Sequence, residues 1–195
     1  ANFDRGLTYQ RADEDPSGDV IVLRASNINQ QSNTINVSDV KRLRTGFQAN
    51  PRTKLHEGDI LLTAASGSRA HVGKVAYVSE EINAHFGGFM MAIRSNSSVE
   101  GKYLFHFLSS NAICDHWYSA LSTSTINNIN SRVLSGFDIL VPPLEVQREI
   151  VSILDKLDAL VNDITYGLPA EIEARRKQYE YYRNKLLTFK ELDAA

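Results

Sequence analysis

The sequence predicts an α+β fold: a short-stranded mixed sheet with a packed helix, followed by a long, coiled-coil-like C-terminal helical region. Three observations predict it. Short β-branched or apolar runs bounded by Gly, Ser, Asn and Asp crowd the first part of the chain, residues 1–141. These runs follow one another without the regular strand–helix alternation of a doubly wound sheet. After Pro142 and Pro143, residues 142–195 take up the apolar spacing of a helix and hold it almost to the end.

Strands are expected at Val20–Leu23 ("VIVL"), Asp59–Thr63 ("DILLT"), Lys74–Val78 ("KVAYV"), Gly88–Arg94 ("GFMMAIR") and Phe137–Val141 ("FDILV"). Between the last two, Leu104, Phe107 or Leu108, Trp117 and Leu121 recur at helical spacing, which predicts a helix over about Glu100–Leu121.

The junction reads "VPPLEVQREIVSILDKLDAL" (Val141–Leu160). Pro143 suits a first helical turn, where its missing N–H costs nothing. Glu145 and Glu149 then lie near the positive end of the helix dipole. Apolar residues follow at Ile150, Leu154, Leu157, Val161, Ile164 and Leu168, in steps of four and three, the seam of a helix packed against another helix. Pro169 should interrupt it, yet the phase continues through Ile172, Tyr179, Tyr182, Leu186 and Phe189. On the outer face Glu171–Arg175 and Glu173–Lys177 are favourable i,i+4 pairs. Two geometries fit: a kinked rod of about 45 residues, roughly 65–70 Å long, or an αα-hairpin turning at Gly167–Pro169. The preserved phase favours the rod. Leu154, Leu157, Val161 and Ile164, with Tyr179, Tyr182 and Leu186 further on, are the candidate interface anchors. The competing reading packs the same stripe onto its own domain.

At 195 residues, the chain suffices for one domain with an appendage or for two small domains. With 43% hydrophobic and 23% charged residues it is ordinary for a soluble protein, and it has no membrane-length apolar run. A single cysteine, Cys114, forms no internal disulfide, which points to a reducing compartment, the cytoplasm. The abrupt opening at "NFDRGLTYQR" is expected of a fragment that has lost an upstream strand, though a processed methionine leaves the same trace. Net charge is −2, but Lys41 to Lys74 holds seven Lys and Arg against two acidic residues, compatible with phosphate contact.

No catalytic constellation is legible. "GSRAHVGK" (Gly67–Lys74) has one residue too many between its glycines for a phosphate loop, and Val75 follows the lysine. The five histidines (His56, His71, His85, His106, His116) are scattered, without metal-ligand spacing. No nucleophile elbow, methyltransferase N-P-P-[FY] tetrad or glycine-rich cofactor loop is present. The sequence predicts no enzyme activity, no metal and no cofactor.

Several stretches together resemble the DNA-specificity (S) subunits of type I restriction–modification systems. They are "RGLTYQR" (Arg5–Arg11), "VIVLRASNI" (Val20–Ile28), "EGDILLTAASGSRAHVGKVAYV" (Glu57–Val78), "TSTINNINSRVLSGFDILVPPLEVQREIVSILDKLDAL" (Thr123–Leu160) and "GLPAEIEARRKQYEYYRNKLLTF" (Gly167–Phe189). The resemblance covers essentially the whole chain and is strongest after Leu140. It implies a target-recognition domain over residues 1–141 that reads one half of a bipartite site in double-stranded DNA. It also implies a helical spacer over 142–195 that docks methyltransferase and restriction subunits. The family pattern has two recognition domains per subunit and this sequence has one, so a homodimer through the C-terminal helices is expected to restore the pair. Two alternatives stay open: the recognition segment of a single-chain restriction–methylation enzyme, and a stand-alone dimeric DNA-binding regulator.

Base edges are read by Arg, Asn, Gln, Ser and Thr side chains, and phosphates by similar groups. The first candidate is the loop "SGSRAH", with Ser66, Ser68, Arg69 and His71, followed by Lys74. The second is "STSTINNIN", with Thr123, Ser124, Thr125, Asn127 and Asn128. Tyr9, Arg11, Arg24 and Asn27 form a third set. Lys41, Arg42, Arg44, Arg52 and Lys54 are candidate phosphate neighbours. For the two loops the competing reading is an exposed polar turn, and for the basic run a solvated face with scattered charges.

Overall fold

A computed structural model describes residues 1–30, 32–67, 71–122, 128–134, 138–159, 177–178 and 181–182. The chain falls into two compact units, Ala1–Val151 and Ser152–Ala195.

The centre of the first unit is a four-stranded antiparallel sheet in the order β1-β9-β6-β7, built from β1 (Asn2–Arg5), β6 (Ile60–Thr63), β7 (Val75–Tyr77) and β9 (Met90–Arg94). Register is set by Ile60 opposite both Tyr77 and Ile93, and by Phe3 opposite Ile93. Every residue of β6 is buried, because this sheet is covered on both faces. Ile60, Leu62, Val75, Met91 and Ile93 pack under α1 (Gly101–Leu108) and α2 (Asn111–Ser122) through Leu104, Leu108, Ile113, Trp117 and Leu121. The alternate residues Leu61, Ala76, Met90 and Ala92 face Leu23, Leu55 and Phe86. That second layer includes a three-stranded mixed sheet of β5 (Lys41–Leu43), β2 (Val20–Leu23) and β8 (His85–Phe86), in which β2 runs antiparallel to β5 and parallel to β8. A small ribbon of β3 (Ile28–Asn29) and β4 (Thr34–Ile35) completes the strands, and α3 (Ser131–Leu134) follows α2.

Two close approaches require glycine. A Cβ on Gly6 would lie 2.0 Å from the Gly87 carbonyl oxygen, where the chain crosses the β8–β9 turn. At Gly73, φ is +85° and a Cβ would lie 2.6 Å from Cε3 of Trp117.

Arg94 ties the sheet together at its end. Its Nε and Nη2 donate to Asp59 Oδ1 and Oδ2, both at 2.9 Å, and its Nη1 donates to Asp4 Oδ2 at 2.8 Å. The remaining N–H groups reach the carbonyls of Lys54 (2.8 Å) and Arg52 (3.2 Å). Bonding to Asp59 outweighs the desolvation of the guanidinium, so its pKa is raised further above the usual arginine value.

The expected strands at Val20–Leu23, Asp59–Thr63, Lys74–Val78 and Gly88–Arg94 are present, the second and fourth trimmed at their start and the third by one residue at each end. Two expectations are corrected. The helical segment is broken at Ser109–Ser110 into α1 and α2, where the Ser109 N–H bonds back to Phe105 and the Ser110 N–H to Phe107. Residues 138–141 are not a strand. Leu140 and Val141 are exposed, and the segment is held by Ile139 packing on the core and by one side-chain bond instead of a ladder. The Tyr103 hydroxyl donates to the Leu140 carbonyl at 2.8 Å, and the two prolines that follow have no N–H to pair.

Residues 144–151 are helical and close the first unit. The Pro143 carbonyl accepts the Gln147 N–H at 3.1 Å, which places Pro143 immediately before the first helical residue. Gln147, fully buried, accepts the Glu100 N–H at 2.8 Å and donates to the Pro142 and Ser98 carbonyls at 2.7 and 3.1 Å. In the second unit, 152–159, 177–178 and 181–182 are helical. There Ile153, Leu157, Tyr181 and Tyr182 are exposed, Leu154 is half-buried, and the Tyr181 and Tyr182 rings meet edge-to-face at 5.3 Å. Val161, Ile164, Tyr179 and Leu186, and the break at Gly167–Pro169, lie outside the described residues.

Candidate nucleic-acid interface

A cleft of about 650 Å³ opens on the first unit between the β6–β7 loop, the β8–β9 turn and the N-terminal segment. Tyr9, Arg11 and Arg24, the third candidate set without Asn27, line it together with Ser66 and Gly67 of the first candidate loop. Residues more than fifty positions apart are thereby brought to one concavity. The β8–β9 turn adds Gly87, Gly88 and Phe89, and Glu14, Ala25, Ser26 and Lys41 line it as well.

Backbone pairing explains why these segments meet. Leu7 bridges Gly87, with the Leu7 N–H on the Phe86 carbonyl at 2.7 Å. The N–H groups of Ala64 and Ala65 both donate to the Phe89 carbonyl, at 2.9 and 3.0 Å. Ala65 also bridges Asn128, and the Ile129 N–H bonds the Ala64 carbonyl at 2.7 Å. The end of the second candidate loop is therefore stitched to the start of the first. Arg5 Nη2 fixes that junction through Asn128 Oδ1 and the Ile129 carbonyl, both at 3.2 Å.

Arg24 is the cleft's adaptable cation. Its Nη2 reaches Asp39 at 3.4 Å, and Asp39 is largely exposed. Its Nε is buried with no partner. An exposed pair of this length contributes little stability, so the guanidinium can exchange Asp39 for an incoming acceptor at small cost. Arg11 is exposed at the rim. His71 is exposed and Lys74 half-buried on the same β6–β7 loop. Ser68, Arg69, Thr123, Ser124, Thr125 and Asn127 lie outside the described residues.

Asn27 is spent on the fold. It is 2% exposed, its Oδ1 accepts the Arg24 N–H, and its Nδ2 donates to the Asn36 and Asp39 carbonyls at 2.8 Å each. Part of the basic run is neutralised as well. Lys41 pairs with Glu14, Arg44 Nε lies 3.3 Å from Asp13, and Arg42 donates to the Gly18 carbonyl. Lys54 forms no such pair among the described residues and raises the local positive field enough to help depress His85.

Sequence reasoning missed Phe89. The expected strand Gly88–Arg94 includes it, yet it stands 73% exposed at the lip of the cleft. The preceding Gly87–Gly88 pair was the available turn signal.

Among the described residues no three His, Cys, Asp or Glu side chains converge as metal ligands, and no helix is long and apolar enough to cross a membrane. Burial, and then Asp115, pushes the Cys114 thiol pKa up, away from the reactive thiolate.

Comparison with known proteins decides the family. The family model described as type I restriction modification DNA specificity domain matches residues 1–174. The chain belongs to that family. It is 44% identical over 101 residues to the type I restriction enzyme EcoR124I/EcoR124II specificity subunit of Escherichia coli, covering 51% of this chain and 25% of that protein. To a Haemophilus influenzae protein named a putative type I restriction enzyme specificity subunit it is 38% identical over 135 residues, covering 68% of this chain and 32% of the other. The chain thus spans about a quarter to a third of the length of these relatives. Its fold, mixed sheets with a few helices, is shared with a solved structure concerning complex assembly and conformational transition of the type I R-M system. That likeness has a TM-score of 0.65 at 23% identity, over 92% of this chain and 41% of the other.

Proposed function

We propose that this specificity-domain chain is a non-catalytic reader of double-stranded DNA, contributing the recognition of one half of a bipartite site to a type I restriction–modification enzyme. The observation that carries the reading is the cleft itself. Arg11, Arg24 and Tyr9 converge on Ser66–Gly67 beside the loop end at Asn128. Cationic and hydroxyl groups around a glycine-lined concavity suit close approach to phosphates and base edges. Arg69 and the polar residues Thr123, Ser124, Thr125 and Asn127 belong to the two loops that flank it in sequence, and complete the proposed reading surface.

The second unit is the proposed docking element for methyltransferase and restriction subunits, and for a second copy of the chain. Its support is the exposure of Ile153, Leu157, Tyr181 and Tyr182, apolar and aromatic area typical of interface anchors. Val161, Ile164, Tyr179 and Leu186, the further anchors expected from the sequence, are proposed for the same role.

Selection of binding sites from a random duplex pool by the full chain tests the reading. An enriched motif, with affinity that falls as salt rises, is expected. Retention of duplexes without any enriched motif would reject sequence recognition.

A further inference from the structure

We infer that Phe89 is a specificity-determining residue of the DNA-reading surface, packing its ring against the 5-methyl group of one thymine in the major groove. The inference rests on the DNA-reading function proposed above and names one of its contacts.

An exposed phenylalanine forfeits the burial that normally holds an aromatic ring in place. This ring is presented outward by a fixed turn. The Phe89 carbonyl accepts the N–H groups of both Ala64 and Ala65, and the Met90 N–H closes back on the Gly87 carbonyl at 2.7 Å. Gly6 N–H adds a bond to the Met90 carbonyl at 3.1 Å. A backbone pinned on both sides of Phe89 loses little further freedom when the ring meets a partner.

The surroundings specify that partner. Phe89 shares its cleft with Arg11, Arg24 and Ser66, groups that hydrogen-bond to base edges and phosphates. The adjoining Gly87 and Gly88 add no side chain to the turn beside the ring. An apolar surface set among such groups matches the thymine edge, which carries the only methyl group in the major groove of unmodified DNA.

The test uses the full chain and the duplex it selects from a random pool. Each thymine is replaced in turn by uracil, which removes the methyl and leaves pairing intact. For the wild type, one replacement should weaken binding about fourfold, from roughly 0.8 kcal/mol per buried methyl at 1.4 kcal/mol per tenfold. In Phe89→Ala that penalty should vanish, while preference at the other positions is kept. Phe89→Leu should retain part of it. Because the ring is exposed, an unchanged thermal unfolding midpoint is expected for both variants. Equal wild-type binding to every uracil duplex would overturn the inference while leaving DNA reading intact. So would a Phe89→Ala variant weakened equally on all duplexes, the behaviour of a wedge between base steps. A wild type that selects no motif at all would sink the DNA-reading function, and this contact with it.

Discussion

Arg94 and Asp59 are joined by two parallel 2.9 Å hydrogen bonds, one from Nε and one from Nη2, at the point where three strands and a turn meet. Asp4 and two backbone carbonyls take the other guanidinium donors. A lysine cannot reproduce that planar fork. Arg94→Lys should therefore destabilise the first unit by about 2–3 kcal/mol, because Asp59 loses its bidentate partner in a buried setting. Urea unfolding measures this as a lower midpoint with an unchanged slope.

Gly73 combines a left-handed backbone with a position against the ring of Trp117. Gly73→Ala should cost about 2–3 kcal/mol, since the added methyl meets both objections at once. Trp117 is the chain's only tryptophan, so its fluorescence emission reports the repacking without interference.

The buried amide of Gln147 joins the 144–151 helix to Glu100, Ser98 and Pro142. In Gln147→Ala, Glu100 N–H and two carbonyls lose their partners, at a cost of about 2 kcal/mol. Hydrogen exchange should accelerate in residues 144–151 while β6 and β9 keep their protection. Equal loss across all of them would mean that the amide supports the whole unit, not its closing helix.

His85 is depressed by burial first and by Lys54 second. The unfolded chain therefore takes up the proton before the folded one, so stability rises with pH in that window. The contribution should be fully present above the ordinary imidazole value of 6.5 and be lost as pH falls below it, through the lower folded value. His85→Gln should flatten the slope of the urea midpoint between about pH 7 and pH 5.

Arg69 and Lys54 should behave differently on DNA. Arg69→Ala should cost about 1–3 kcal/mol at one base pair and relax preference there. Lys54→Ala should weaken binding to every sequence and reduce the salt slope by about one. Binding assays on the selected duplex and its single-base variants, at two salt concentrations, separate the two patterns.

Legibility in the sequence followed burial. Ile60–Thr63 was readable because a strand enclosed on both faces is apolar throughout, and Leu104, Trp117 and Leu121 were readable because α1 and α2 each bury one face. Lys41–Leu43 and His85–Phe86 are too short and too polar to announce themselves, and exist because β2 pairs with both. Asp138–Val141 has the composition of a strand but no ladder partner beside two prolines. The pairing within the basic run was not legible for a related reason: Asp13 and Glu14, which pair with Arg44 and Lys41, lie outside it in sequence and against it in space. Asn27 looked like a surface reader because it is polar, whereas its amide substitutes for missing backbone partners. The cleft was legible only as two separate sets of polar residues; the bridge Leu7–Gly87 that assembles it, like the bridge Ala65–Asn128 beside it, is tertiary.

The central claim, that this chain supplies the sequence preference of a methylating and restricting enzyme, is tested most directly by methylome sequencing. Cells carrying the chain with the proposed methyltransferase subunit should show one added methylated motif of two specified parts with a fixed gap, absent when the chain is deleted and altered by Arg24→Ala wherever this chain reads it. A methylome indifferent to deletion of the chain would contradict it.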